Sequence, residues 1–379
     1  MFASLIRFIR DQYRSNDNIP LHAPVFNGRE KEFVMDTIDS TFVSSVGPYV
    51  DRFEKEMATF TNTPSAVAVV NGTAALHTAL KLVNVLPGDL VVTQSLTFVA
   101  TCNAISYCGA DPLFVDVDRR TLGLSPNALE DWLSEHALLD DQGVCRTVIG
   151  QRPIRACVPM HTFGHPVEVG AIIKVCDRWN LTLIEDSAES LGSYFRGRHT
   201  GTFGKVGVLS FNGNKIITTG GGGMILTDKE TAERAKHLTT TAKVPHPYEF
   251  IHDQVGYNYR LPNLNAALGC AQLEQLPRFL ASKRILAERY IEFFKGSNFQ
   301  AIEEPRECCS NYWLNGVICE NTAQRDLLLK ETNEAGIMTR PIWASMARLS
   351  LYPKAIQGPL VNTNWLEART VNLPSSAPL

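Results

Sequence analysis

The chain has 379 residues, 44% hydrophobic and 20% charged, with 36 Lys and Arg against 39 Asp and Glu, a net charge of −3. That is enough chain for a large core and two or three domains, and the near-neutral charge without a basic stretch excludes a phosphate-tracking nucleic-acid binder. The nine cysteines show no CxxC and no paired spacing, so they read as small buried thiols of a reducing compartment, and neither a disulfide framework nor a metal site is expected.

In chain order, "MFASLIRFIRDQYRS" is interrupted by Arg7 and Arg10 and has no small-residue cleavage site, so it is not a signal peptide. Phe2, Leu5, Ile6, Ile9 and Tyr13 share one helical face, which predicts a short helix packed on the body or on a partner. Residues 29–60 read as helix, extended loop ("STFVSSVGPYV") and helix. Ala66–Val70 is a continuous apolar run, hence a buried strand. After Asn71-Gly72-Thr73 the apolar residues recur at 75, 76, 79, 80 and 83, the helical period. Strands "DLVVTQ", "PLFVDVD", "IRACVPMH", "LTLIEDS", "VGVLSF" and "GGMILTD" follow, with helices "TFVATCNAISYCG" and "VEVGAIIKVCDRWN" between them. Such alternation predicts an α/β fold with a largely parallel sheet covered by helices on both faces. From about residue 265 the chain turns helical ("NAALGCAQLEQL", "FLASKRILAERYIEFFK"), and a smaller α+β portion follows. No run reaches transmembrane length, so a cytoplasmic protein without membrane association is expected.

Ligands of open α/β sheets bind beyond the carboxyl ends of strands. Asn71-Gly72-Thr73, His161, Glu185-Asp186 and the stretch from Ser210 to Lys215 all fall at such ends. A glycine-permitted turn into a helix offers free N–H groups to a phosphate, and Thr73 either adds its hydroxyl or serves only as the helix cap. Asp186 either caps a turn or holds a cationic ring nitrogen. Lys215 lies in "SFNGNK", just ahead of "TTGGGG". Four glycines do not stabilise a chain, so they imply unusual dihedrals or close approach to a ligand, and a desolvated lysine there is a nucleophile toward carbonyls. Aspartate for a pyridinium nitrogen, lysine for a Schiff base and a helix N-terminus for a phosphate are together what pyridoxal 5'-phosphate requires.

With these motifs in order, the chain resembles the DegT-type (DegT/DnrJ/StrS) nucleotide-sugar aminotransferases, a branch of the fold-type I pyridoxal phosphate enzymes. The likeness runs through "FVSSVGPYVDRFE", "NGTAALHTAL", "SLTFVATCNAI", "EDSAESLGS", "GTFGKVGVLSFNGNKIITTGGGG", "VGYNYRLPNLNAALG", "TRPIW" and "NLPSS". It implies a mostly parallel seven-stranded sheet between helices over residues 1–265, with a helical segment at 1–60, and a small α+β domain over 266–379. It also implies that Lys215 is the Schiff-base lysine and proton carrier, that Asp186 partners the pyridinium, that Glu189 touches the cofactor 3'-oxygen and that Phe98 stacks on the ring. Thr73, Ala74 and Ser210 would bind the phosphate, and Asn258 would reach the phosphate of a neighbouring subunit in a homodimer. His161 is implied near the sugar, or is a core histidine. Arg260 and Trp343 are implied at the nucleotide or sugar end, or form an interface ion pair and a packed aromatic. Ser44 and Ser45 lie on a loop that lines the sugar pocket in such enzymes.

The resemblance further implies ping-pong transfer from L-glutamate to the C4 ketone of a nucleotide-linked 4-keto-6-deoxy sugar. "SFNGNKIITTGGGG" with "TRPIW" points to a UDP-linked N-acetylhexosamine of the bacillosamine or legionaminate type, for polysaccharide or lipopolysaccharide synthesis. GDP-perosamine-type amination and a non-catalytic sensor or scaffold are the alternatives. Sugar 3-dehydratases of this fold carry histidine in place of the lysine, and Lys215 argues against them.

Overall fold

The structure is a computed structural model that describes residues 2–378. The N-terminal part holds helices α1 (Ala3–Tyr13), α2 (Glu30–Asp39) and α3 (Pro48–Thr61). Then come β1 (Ser65–Val69), α4 (Gly72–Leu82), β2 (Leu90–Gln94), α5 (Val99–Tyr107), β3 (Asp111–Val115) and α6 (Pro126–His136). They are followed by β4 (Ile154–Val158), α7 (Val169–Arg178), β5 (Thr182–Asp186), β6 (Val206–Ser210), β7 (Gly223–Thr227) and α8 (Lys229–Thr239).

The main sheet has eight strands in the order β1-β7-β6-β5-β4-β2-β3-β8, where β8 is the two-residue strand Ile356–Gln357. All neighbours pair in parallel except β7, which is antiparallel to both β1 and β6. The seven strands expected from the alternation are therefore present, and the eighth arrives from the C-terminal part to extend the β3 edge. β2, β4 and β5 are buried along most or all of their length, as strands covered on both faces must be.

α9 (Asn263–Phe294) is one 32-residue helix with Pro277 inside it, where the sequence reads as two helical runs. Its first half packs on α2 and α3, and its second half reaches the four-stranded antiparallel sheet of the C-terminal part. The predicted N-terminal helix is α1. Phe2, Leu5 and Ile9 enter a core with Leu286, Tyr290 and Phe294 of α9 and Val371 and Leu373 of the C-terminal sheet. All nine cysteines are unpaired, seven of them buried. No described helix is long and apolar enough to cross a membrane.

Candidate active site

Because β7 runs against its neighbours, its first residue lies level with the last residues of β1 and β6. Gly223 pairs with Val69 on one side and with Ser210 on the other. That edge also carries the carboxyl ends of β5, at Asp186, and of β2, which leads to Phe98. A cavity of about 310 Å³ opens there, within the range of small-molecule sites. Thr73, Phe98, Asp186, Glu189, Ser210, Lys215 and Trp343 all line it.

The turn into α4 is built around Asn71. Its side chain accepts the Ala74 amide at 2.8 Å, so Asn71 rather than Thr73 is the helix cap. The Ala75 amide goes to the Asn71 carbonyl, which leaves the first-turn amides of Gly72 and Thr73 at the positive end of the helix for an anion. Ser210 closes the other side of the turn, so near that a Cβ on Gly72 would meet its Cβ at 2.9 Å.

The glycine run has separate reasons at separate positions. Gly220 has φ +79°, and a Cβ on Gly222 would collide with the Thr219 hydroxyl. A Cβ on Gly223 would lie 2.6 Å from the Asn71 carbonyl and 2.9 Å from the Gly72 nitrogen. Gly221, on the cavity wall, has open space beside it. The glycines thus let β7 lie directly against the turn that starts α4.

Lys215 is nearly buried. Its Nζ lies 3.3 Å from Glu189 Oε1 and 3.9 Å from the centroid of the Trp313 ring. Glu189 is buried, and its other oxygen accepts the Phe163 amide at 2.9 Å. Burial pushes its pKa up to about 7, against the pull of Lys215 and of the Phe163 amide. Asp186 is buried too. Its Oδ2 accepts from Thr101 Oγ1 at 2.7 Å and its Oδ1 from the Ala188 amide at 3.2 Å. Burial raises its pKa, while Thr101, Ala188 and the Lys215 charge oppose the shift. Phe98 stands at the N-cap of α5, with its ring 6.3 Å from that of Trp343, and Trp343 packs on Phe163 at 5.2 Å.

Six predicted residues lie off the cavity wall. His161 is fully buried: Nε2 donates to Glu185 Oε2 at 3.0 Å, and Nδ1 accepts the Val167 amide at 3.1 Å. Glu185 also accepts the amides of Gly201, Phe203 and Gly204. Burial alone would raise its pKa, but His161 and these amides hold it below the ordinary value. Asn258 is exposed and accepts from Arg260 Nε at 3.0 Å, and Arg260 borders a separate shallow depression with His246. Ala74 has its amide on Asn71. The Ser44–Ser45 loop is likewise off the wall, held by Asn263, which donates its amide to the Ser44 carbonyl and its Nδ2 to the Phe42 carbonyl.

Thr101 and Trp313 were not singled out by sequence, and Asn71 was named there only as part of the turn, not as the cap. Thr101 lies one helical turn beyond Phe98, on a helix already placed at the site. Trp313 comes from a loop of the C-terminal part with no local signal.

The donor set fits pyridoxal phosphate: open helix-start amides and a hydroxyl for a dianion, a buried carboxylate and a lysine lining one cavity, and an aromatic on the wall. The fold and this site define a pyridoxal phosphate-dependent aminotransferase of the large class built on a mostly parallel sheet. Over residues 25–379 the chain belongs to the DegT/DnrJ/EryC1/StrS aminotransferase family. It is 35% identical over 358 residues to the GDP-perosamine synthase of Escherichia coli O157:H7, covering 94% of this chain and 93% of that one. It is 36% identical over 342 residues, 89% of this chain and 84% of the other, to EpsN of Bacillus subtilis, by name a pyridoxal phosphate-dependent aminotransferase. Among solved structures, the aminotransferase TlmJ of Streptoalloteichus hindustanus superposes with a TM-score of 0.86 at 30% identity, covering 96% of this chain and 94% of that one. The chain is thus a pyridoxal phosphate-dependent sugar aminotransferase.

Proposed function

We propose that the enzyme moves the amino group of L-glutamate to the C4 ketone of a nucleotide-linked 4-keto-6-deoxy sugar for surface-glycan synthesis. The observation that carries this reading is the placement of the Lys215 amine against Glu189, on the same cavity floor as the buried Asp186.

Pyridoxal phosphate, when bound, supplies a ring that accepts the electron pair released as a C–H bond breaks. Lys215 would hold it and, once free, carry the proton between carbon atoms as general base and acid. Asp186 would keep the ring nitrogen protonated, and Thr101 fixes the carboxylate that does so. Glu189 would face the ring hydroxyl, and Phe98 would cover the ring face. Thr73, Ser210 and the turn amides would hold the phosphate. The rings of Phe98 and Trp343, 6.3 Å apart on the cavity wall, would limit water at the reacting atoms once the cavity is filled.

For the acceptor, the motif pair "SFNGNKIITTGGGG" and "TRPIW" supports a UDP-linked N-acetylhexosamine. A GDP-linked 4-keto-6-deoxyhexose is the second reading, favoured by the name of the Escherichia coli relative. The enzyme is proposed to work in the cytoplasm as a homodimer in which Asn258 serves the partner's phosphate site. Its exposure away from this chain's cavity, beside the exposed Tyr248, Phe250 and Val255, supports that arrangement.

Loaded enzyme and L-glutamate, given UDP- and GDP-linked 4-keto-6-deoxy sugars in parallel, test the reading by mass spectrometry of the sugar product. An amino sugar from one nucleotide series with the higher kcat/KM is expected. Absence of amination in both would overturn it.

A further inference from the structure

Lys283 of α9 is 1% exposed and has no carboxylate within ion-pair distance among the described residues. An unpaired buried ammonium is costly, and burial lowers its pKa to about 7. Its Nζ donates to the carbonyl of Trp313 at 3.1 Å and to that of Ser375. Two of its three N–H bonds are thereby used.

One N–H is left without a partner among the described residues. His22 Nδ1 is closed off from solvent with no hydrogen-bond partner among the described residues. His22 and Lys283 line the same crevice, with Ile216 and Phe279, around a void of about 10 Å³, roughly the room one water requires. Burial, then the charges of Lys283 and Lys215, push the His22 pKa well below its usual value. Its ring lies 6.5 Å from that of Trp313.

Trp313 connects this crevice to the reacting amine. Its Nε1 donates to the carbonyl of Asn214, the residue before Lys215, at 2.7 Å, and its amide donates to Asn311 Oδ1 at 2.8 Å. Its ring face lies under Lys215 Nζ. The indole orientation is thus set by three main-chain or ring-edge anchors, one of them Lys283.

We propose that Lys283, bridged to His22 by one buried water, is a positioning residue that holds the Trp313 main chain so that the indole face stays under the Lys215 amine. His22 lies ahead of α2, in the N-terminal segment that follows α1. The inference rests on Lys215 being the cofactor's anchor.

The test is the rate at which pyridoxal phosphate forms its visible band in cofactor-free protein. It is measured for wild type, Lys283→Met, Trp313→Leu and the double variant, with thermal melts alongside. Lys283→Met slows band formation about tenfold when Trp313 is present and by less than about twofold when it is Leu, because coupled residues act non-additively. Equal slowing in both backgrounds overturns the positioning role and leaves a structural one. No band in wild type overturns the assignment of Lys215 itself. His22→Phe keeps the aromatic volume, carries the test if Lys283→Met does not fold, and is expected to slow the band in the same Trp313-dependent way. A silent His22→Phe overturns the bridge.

Discussion

Glu189 and Lys215 face each other at 3.3 Å on the cavity floor, the carboxyl buried and the amine nearly so. Both are largely withdrawn from solvent, so each charge leans on the other. Burial raises Glu189 to about 7, from an unfolded value near 4.5. Between these values the folded protein holds a proton that the unfolded chain has released, so this group's contribution to stability falls as pH rises through the window. Glu189→Gln removes that slope. Urea melts of cofactor-free protein should show the variant gaining on wild type from about pH 4.5 to 7, by on the order of 3 kcal/mol at most. A constant difference across the window contradicts the assignment.

Asp186 depends on Thr101 for one of its hydrogen bonds, at 2.7 Å. Thr101→Val leaves a buried carboxylate oxygen without that donor, a loss of about 1–3 kcal/mol. Its pKa should rise further, and turnover should fall about tenfold with the acceptor's KM little changed. A variant with wild-type kcat would contradict the role given to this pair.

Gly221 should tolerate alanine and Gly223 should not. Nothing lies within 4 Å of a Cβ on Gly221, whereas one on Gly223 meets the Asn71–Gly72 backbone at 2.6 Å. Gly223→Ala should cost about 1–3 kcal/mol in denaturant melts and weaken pyridoxal phosphate binding by displacing the phosphate turn. Gly221→Ala should leave stability within about 0.5 kcal/mol. Equal effects would contradict this account of the glycine run.

Much of this site was legible because its parts are local. A strand end, a glycine turn into a helix and a lysine ahead of glycines each leave a mark within ten residues. What stayed hidden arrives through tertiary packing. Trp313 reaches Lys215 from a loop about a hundred residues away, and its segment shows neither helical nor strand period. The eighth strand is two residues long, too short to carry a pattern. The sequence reads as two helical runs on either side of Pro277, but α9 continues through it because its faces pack on α2, α3 and the C-terminal part, and tertiary contact outweighs the missing hydrogen bond. For Thr73 the sequence left two roles open, and Asn71 takes the capping one.

His161 and Glu185 form a fully buried pair whose remaining acceptors take main-chain amides. His161→Ala strands that carboxylate and should destabilise the protein by about 3–5 kcal/mol. A stably folded His161→Ala whose only defect is a raised KM for the sugar would instead show a substrate contact.

The central claim is that Lys215 is the amine that holds pyridoxal phosphate and carries the proton. Reduction of the loaded protein with borohydride, followed by peptide mass mapping, tests it most directly. The account predicts one pyridoxyl group per chain, on the peptide bearing Lys215, and its loss in Lys215→Ala. A label on another lysine, or bound cofactor that leaves Lys215 unmodified, would contradict it.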